Sequence, residues 1–157
     1  MSDVQLQREE TVIKATIPKY PVFFKPETIP WTEWAMPGTW FKLLYLNDTQ
    51  GSFTILLKVD PDNEAPIHRH TAAVEAYVIE GEFGYGNDRG GVGSYAYEPS
   101  GATHEPTSPG GVIMFAIIHG PILGYNPDGS IAGVIDNDFM YDAAMANNAA
   151  GHIRRDL

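Results

Sequence analysis

His68 and His70 stand one residue apart in the run PIHRHTAAVEAYVIEGEFGYG (residues 66–86), among apolar and β-branched neighbours that favour a strand. Side chains two residues apart on a strand leave the same face, about 6.6 Å from each other along it. Two imidazoles so placed can lean onto one divalent ion, with each nitrogen about 2.0–2.1 Å from it. Two ligands do not make a centre, so a third must come from elsewhere. The other histidines are His104, His119 and His152, and there is no cysteine. Disulfides and thiolate sites are therefore excluded, and any metal must be held by nitrogen and oxygen.

His104 is the strongest third candidate. It ends the run GSYAYEPSGATH, where Pro99 and Gly101 shape a tight corner that delivers it to the start of the next strand. His119, in the apolar run MFAIIHGP, reads as a core or edge histidine, and His152 as a surface residue of the tail. Glu98, six residues before His104, is either a solvated acid at a strand end or the candidate catalytic residue, able to accept a hydrogen bond from a metal ligand or from water. Tyr77, Tyr97 and Phe115 fall on strands near these residues, where they either pack in the core or line an aromatic pocket. Trp31, Trp34 and Trp40 suit either the barrel mouth or a contact between subunits.

The elements that must position these groups are short β runs broken by turns. The 157 residues fit one domain, and 16 glycines and 12 prolines supply the many turns that an all-β fold needs. TWFKLLYL and GSFTILLKV read as a hairpin around NDTQ, and VEAYVIEGEFGYG as a strand, a turn near Gly81 and a second strand. GSYAYE, GVIMFAIIHG and SIAGVI are further strands, the last after the turn NPDG. From Ser94 onward the alternation is poor, which suggests strands packed on both faces. A helix is expected only near the C-terminus, capped by Asp136 or Asn137, apolar at Phe139, Met140, Ala143 and Ala144, and stopped by Gly151. The fold class is all-β, a jelly-roll barrel with an N-terminal arm (1–37), a barrel (38–136) and a C-terminal helix and tail (137–157).

The two histidine stretches resemble the cupin superfamily, whose first motif is G-x5-H-x-H-x3-4-E-x6-G and whose second is G-x5-P-x-G-x2-H-x3-N. Gly93, Pro99, Gly101 and His104 meet the second, with Ser108 at its final Asn. His68, His70, Glu75 and Gly81 meet the first, with Asp62 at the leading glycine and five residues rather than six between Glu75 and Gly81. Counted back from Gly81, the family's acid falls on Val74, which points to the opposite face from Glu75. Either the turn TAA absorbs the shift or Glu75 points away from the ion, and the second reading is preferred.

Over Ile29 to about Asn147 the chain is similar to a smaller cupin group, the acetylacetone-cleaving and 2,4'-dihydroxyacetophenone dioxygenases. That resemblance implies Fe(II) held by His68, His70 and His104, with Zn(II) or Ni(II) as other occupants. It also implies oxygen-dependent cleavage of a carbon–carbon bond beside a carbonyl, with O2 and a small β-dicarbonyl or α-hydroxyketone as substrates. A homodimer or homotetramer is expected. The formal charge of -10 argues against nucleic acid and anionic membranes as partners. The polar start MSDVQLQREE carries no signal-like apolar stretch, so a cytoplasmic protein is expected. The alternative is a zinc-binding regulatory or small-molecule-binding cupin without activity. A metal-free sugar epimerase has no need of the H-x-H pair.

Overall fold

A computed structural model describes residues 13–14, 22–64 and 66–155, with the side chains of Ile13, Lys14, Glu64 and His104 outside that description. Within the N-terminal segment, β1 (Ile13–Lys14) lies parallel to the last strand, β16 (Ile153–Arg154). A short 3-10 turn (Pro26–Thr28) and β2 (Thr32–Glu33) follow. Trp31 lies beneath two cations, with Lys42 Nζ 4.8 Å and Lys58 Nζ 4.7 Å from its ring centroid. Lys42 also donates to the Pro26 carbonyl at 3.0 Å.

The expected hairpin forms from β3 (Thr39–Asn47) and β4 (Ser52–Val59). Its turn closes because Asn47 Oδ1 accepts from the amides of Thr49 and Gln50, both at 3.1 Å. With β7 (Val74–Gly81), β10 (Tyr95–Glu98) and β13 (Val112–Ile118), they build an antiparallel sheet in the order β10-β7-β13-β4-β3-β2. A second sheet orders β11 (Thr103–His104), β6 (His68–His70), β14 (Ile122–Tyr125) and β15 (Ile131–Ile135). A third orders β5 (Asn63–Glu64), β12 (Thr107–Ser108), β8 (Phe83–Tyr85) and β9 (Asp88–Gly90). The architecture is the expected jelly roll.

The barrel interior is filled from alternate positions of the large sheet: Phe53 and Ile55, then Val74, Ala76 and Val78, then Met114, Ala116 and Ile118. Burying each large side chain contributes about 1.5–3 kcal/mol. Gly81 ends β7 at φ 73°, where an added Cβ would meet the Gly111 carbonyl oxygen at 2.1 Å. Only glycine permits that approach.

The weak alternation after Ser94 has a different cause from the one expected. β13 alternates in burial, Val112, Met114, Ala116 and Ile118 inward, while its outward positions are also apolar. β15 is exposed from Ile131 through Val134. Apolar residues on the solvent side, rather than burial on both faces, blur the pattern.

Helix α1 (Asn137–Ala146) is capped by Asp136, whose Oδ1 accepts from the Phe139 amide at 2.9 Å. It buries Asn137, Met140 and Ala144, whereas Phe139 lies on its more exposed side. Its stop is not Gly151. Asn148 takes the left-handed conformation (φ 52°), and the Ala149 amide returns to the Ala144 carbonyl at 2.8 Å. Among the described residues no helix is long and apolar enough to cross a membrane.

Candidate metal centre

Strand β6 is three residues long, and its parity is fixed: His68 and His70 are buried at 8% and 4% exposure while Arg69 between them faces out. Main-chain pairing holds it on both sides. β14 sets Gly124 opposite His68 and Ile122 opposite His70, and β11 sets His104 opposite His68. The two described rings meet edge to face with centroids 4.9 Å apart. His68 Nδ1 donates to the Pro66 carbonyl at 3.0 Å, so its Nε2 carries the lone pair. That tautomer suits ligation of a divalent ion.

The corner before His104 works as its residue types require. Gly101 sits at φ 82°, and its amide donates to the His70 carbonyl at 2.8 Å. The His70 amide donates back to the Ala102 carbonyl at 3.1 Å. The Pro99–Gly101 turn is therefore bonded directly to one of the histidines it serves. Asp62, at the position of the first motif's glycine, has φ 58°. The left-handed backbone persists there, with aspartate as one of the few residues other than glycine that tolerate it.

Glu98 ends β10 and reaches the same interior. Its Oε2 lies 3.2 Å from His70 Nε2, and its side chain is 14% exposed. The Tyr85 hydroxyl donates to its other oxygen. Burial, and then the neighbouring carboxylate, push the Tyr85 phenol far above its ordinary range, so it remains a donor. Tyr85 was not singled out from the sequence. Its partner is 13 residues away on another sheet, and no local pattern links them.

Glu75 points out of the barrel. Its carboxylate accepts from Tyr95 Oη at 2.7 Å and from His119 Nε2 at 2.8 Å, and these bonds, Tyr95's first, hold it below the usual glutamate range. Val74 takes the inward position and lines the cavity. His119 is thus an edge histidine paired with an acid. His152 is not a surface residue: it is partly buried, 2.6 Å from the Leu43 carbonyl and against the Phe24 ring.

The aromatic expectations are corrected as well. Tyr77, Tyr97 and Phe115 do not line the cavity that His68 and His70 face and are not core; they are 51%, 60% and 36% exposed on the outer face of the large sheet. Of the tryptophans, Trp34 is buried in the cavity wall, and its indole N–H donates to Met140 Sδ at 3.2 Å. Trp40 donates to Asp60 at 3.1 Å.

Behind the histidines lies a cavity of about 90 Å³, walled mostly by apolar side chains such as Leu57, Phe83, Met114 and Ile122. His68, His70 and Glu98 face it together. Among the described side chains no group of three ligand-type residues is gathered closely enough to hold an ion. The structure brings two of the three expected ligands and the expected acid to one cavity, and sets the third residue's backbone beside them.

Residues 20–123 match the family model described as the ChrR cupin-like domain. A solved RmlC-like cupin protein from Ralstonia eutropha JMP134 is 26% identical, with 84% of this chain and 89% of that one covered at a TM-score of 0.74. An acetylacetone dioxygenase from Acinetobacter johnsonii is 19% identical over 83% of this chain and 93% of that one, at 0.72. The complex of Rhodobacter sphaeroides SigE with the anti-sigma ChrR is 21% identical over 60% of this chain and 51% of that one, at 0.52. No curated protein matches the chain.

Proposed function

This chain belongs to the ChrR cupin-like domain family, and on that footing we propose that it is a non-haem Fe(II) dioxygenase. Its substrate is a small β-dicarbonyl or α-hydroxyketone, cleaved at a carbon–carbon bond next to a carbonyl. The observation that carries this reading is the Tyr85–Glu98–His70 chain at the wall of a small apolar cavity. A carboxylate held beside an imidazole in such a place suits proton transfer at a ligand's edge.

His68, His70 and His104 would hold the ion, all three as neutral imidazoles. Bound there, Fe(II) would supply Lewis acidity and the one-electron chemistry that dioxygen needs. Charge then favours an anionic substrate. Three imidazoles leave the ion's two positive charges standing and the ionised Glu98 offsets one; proton transfer then moves that negative charge from Glu98 onto the substrate oxygens at the ion. Apolar walls strengthen that preference by keeping the local dielectric low.

Glu98 Oε2 is the base that takes the substrate's acidic proton, and the Tyr85 hydroxyl holds the carboxylate in position by its bond to Oε1. For a dicarbonyl with a central CH2, cleavage with O2 as the only oxidant balances as one carboxylic acid and one 2-oxoaldehyde. A cavity of about 90 Å³ favours small substrates.

The test is anaerobic reconstitution with Fe(II), addition of acetylacetone or a 2-hydroxyacetophenone, and measurement of a charge-transfer band followed by oxygen uptake. One O2 consumed per substrate supports the reading. Binding without uptake across both classes overturns it and favours the second reading, a regulatory or small-molecule-binding cupin without catalysis. The match to a family named for ChrR, whose solved relative is an anti-sigma complex, supports that alternative.

A further inference from the structure

We infer that β10 is the seam of a two-fold dimer, its open edge pairing antiparallel with β10 of a second copy about Ala96. Among the described residues β10 bonds to β7 alone and ends the large sheet. The Val78 amide donates to the Ser94 carbonyl at 3.0 Å, so position 94 bonds toward β7. Alternation along an antiparallel ladder then turns 96 and 98 inward to β7 and leaves the N–H and C=O groups of Tyr95 and Tyr97 at the open edge. A two-fold axis at Ala96 sets Tyr95 of one copy opposite Tyr97 of the other, twice. Each such pair exchanges two main-chain hydrogen bonds, and the phenol rings form cross-strand aromatic pairs.

The choice of a second copy as occupant rests on what the edge lacks. Edge strands are ordinarily guarded by charge, proline or a bulge, and Tyr95–Glu98 has none pointing outward. The tyrosines are 61% and 60% exposed, and Glu98, the strand's only charged residue, turns into the barrel. In the two-fold register Glu98 meets Ser94, so no like charges face each other although each chain carries a formal charge of -10. On the adjacent outer face the Glu75 carboxylate accepts a hydrogen bond from His119 at 2.8 Å.

The other long exposed edge, β15, fails the same criterion. Its pairing with β14 shifts by one residue between Gly124 and Tyr125, a bulge of the kind that guards an edge. Pairing at β10 also has a consequence for the site: the seam strand is the one that carries Glu98, so association would steady the carboxylate against His70.

The experiment uses the full chain in sedimentation velocity at micromolar concentration, with three variants. Wild type should run at twice the chain mass of 17.2 kDa. Tyr97→Pro removes an N–H that bonds to nothing within the ladder to β7 and keeps an extended backbone, so it should weaken the dimer at least about ten-fold. Tyr97→Phe should leave it intact. Ala96→Cys, the sole cysteine in the chain, should oxidise to a covalent dimer, because residues facing each other across the axis have Cα atoms about 4.5 Å apart. A monomeric wild type overturns the inference. So does a dimer that survives Tyr97→Pro and does not cross-link at position 96; the cross-linking arm decides the matter alone if the proline variant does not fold.

Discussion

Glu98 Oε2 lies 3.2 Å from Nε2 of His70, so the one acid among the cavity's described lining residues contacts one of its histidines rather than standing apart from them. Isosteric removal of the carboxylate's charge separates its roles. Glu98→Gln should lower kcat by about 10²–10⁴-fold, the usual contribution of a positioned base, while bound iron stays stoichiometric. Tyr85→Phe should produce a smaller loss of the same kind. Steady-state oxygen uptake and metal analysis on the same samples check both; loss of iron in Glu98→Gln would assign the carboxylate to the ion instead.

His68→Ala and His104→Ala should each abolish metal binding and leave the far-ultraviolet spectrum of a β protein. Occupancy should also fall with acidity, because imidazole must be neutral to ligate and its ordinary pKa is about 6.5. Equilibrium dialysis between pH 5 and 8 gives the midpoint. Stoichiometric metal in the doubly substituted protein would remove the proposed site.

Glu75→Gln should leave metal content and turnover unchanged, since Glu75 faces solvent with Tyr95 and His119. Its folded-state pKa is lowered, so any stability it supplies is present above the ordinary glutamate value and is lost as pH falls through the folded one. Urea titrations of wild type and variant at pH 7 and pH 3 should therefore converge at the lower pH.

Arg155 binds Asp48 through two hydrogen bonds of 2.9 and 2.7 Å and reaches Asp138 at 2.9 Å, tying the C-terminal tail to the first hairpin and the helix. Arg155's bond is the main reason Asp48 titrates below the usual carboxylate range. Asp48→Asn should cost about 1.5–3 kcal/mol at pH 7, the worth of hydrogen bonds to charged groups. The difference should vanish as pH falls through the folded-state pKa of Asp48.

The histidine pair was legible because a strand's period of two is strict and both residues have one parity. The Pro99–Gly101 corner was legible because its residue types dictate its turn. Glu75 could be turned outward by counting from Gly81, since a one-residue change exchanges the faces of a strand. Tyr77, Tyr97 and Phe115 were harder, because the same alternation runs on sheets whose outer face is also apolar, and hydrophobicity alone does not tell inside from outside. Tyr85 was invisible for a different reason: its bond to Glu98 depends on how two sheets meet, which no spacing along the chain encodes. His152 likewise looks terminal in sequence yet packs under the hairpin at Leu43.

Trp34 presents its ring to the cavity and its indole N–H to Met140 of helix α1. The shared family segment ends at residue 123, well before that methionine. Selectivity at the proposed site is therefore partly set by a helix that lies beyond the segment matching the family model. A lineage could retune which molecules fit by altering Met140 or the helix that carries it, with every histidine left in place. Relatives with identical metal ligands and different tails need not accept the same substrate.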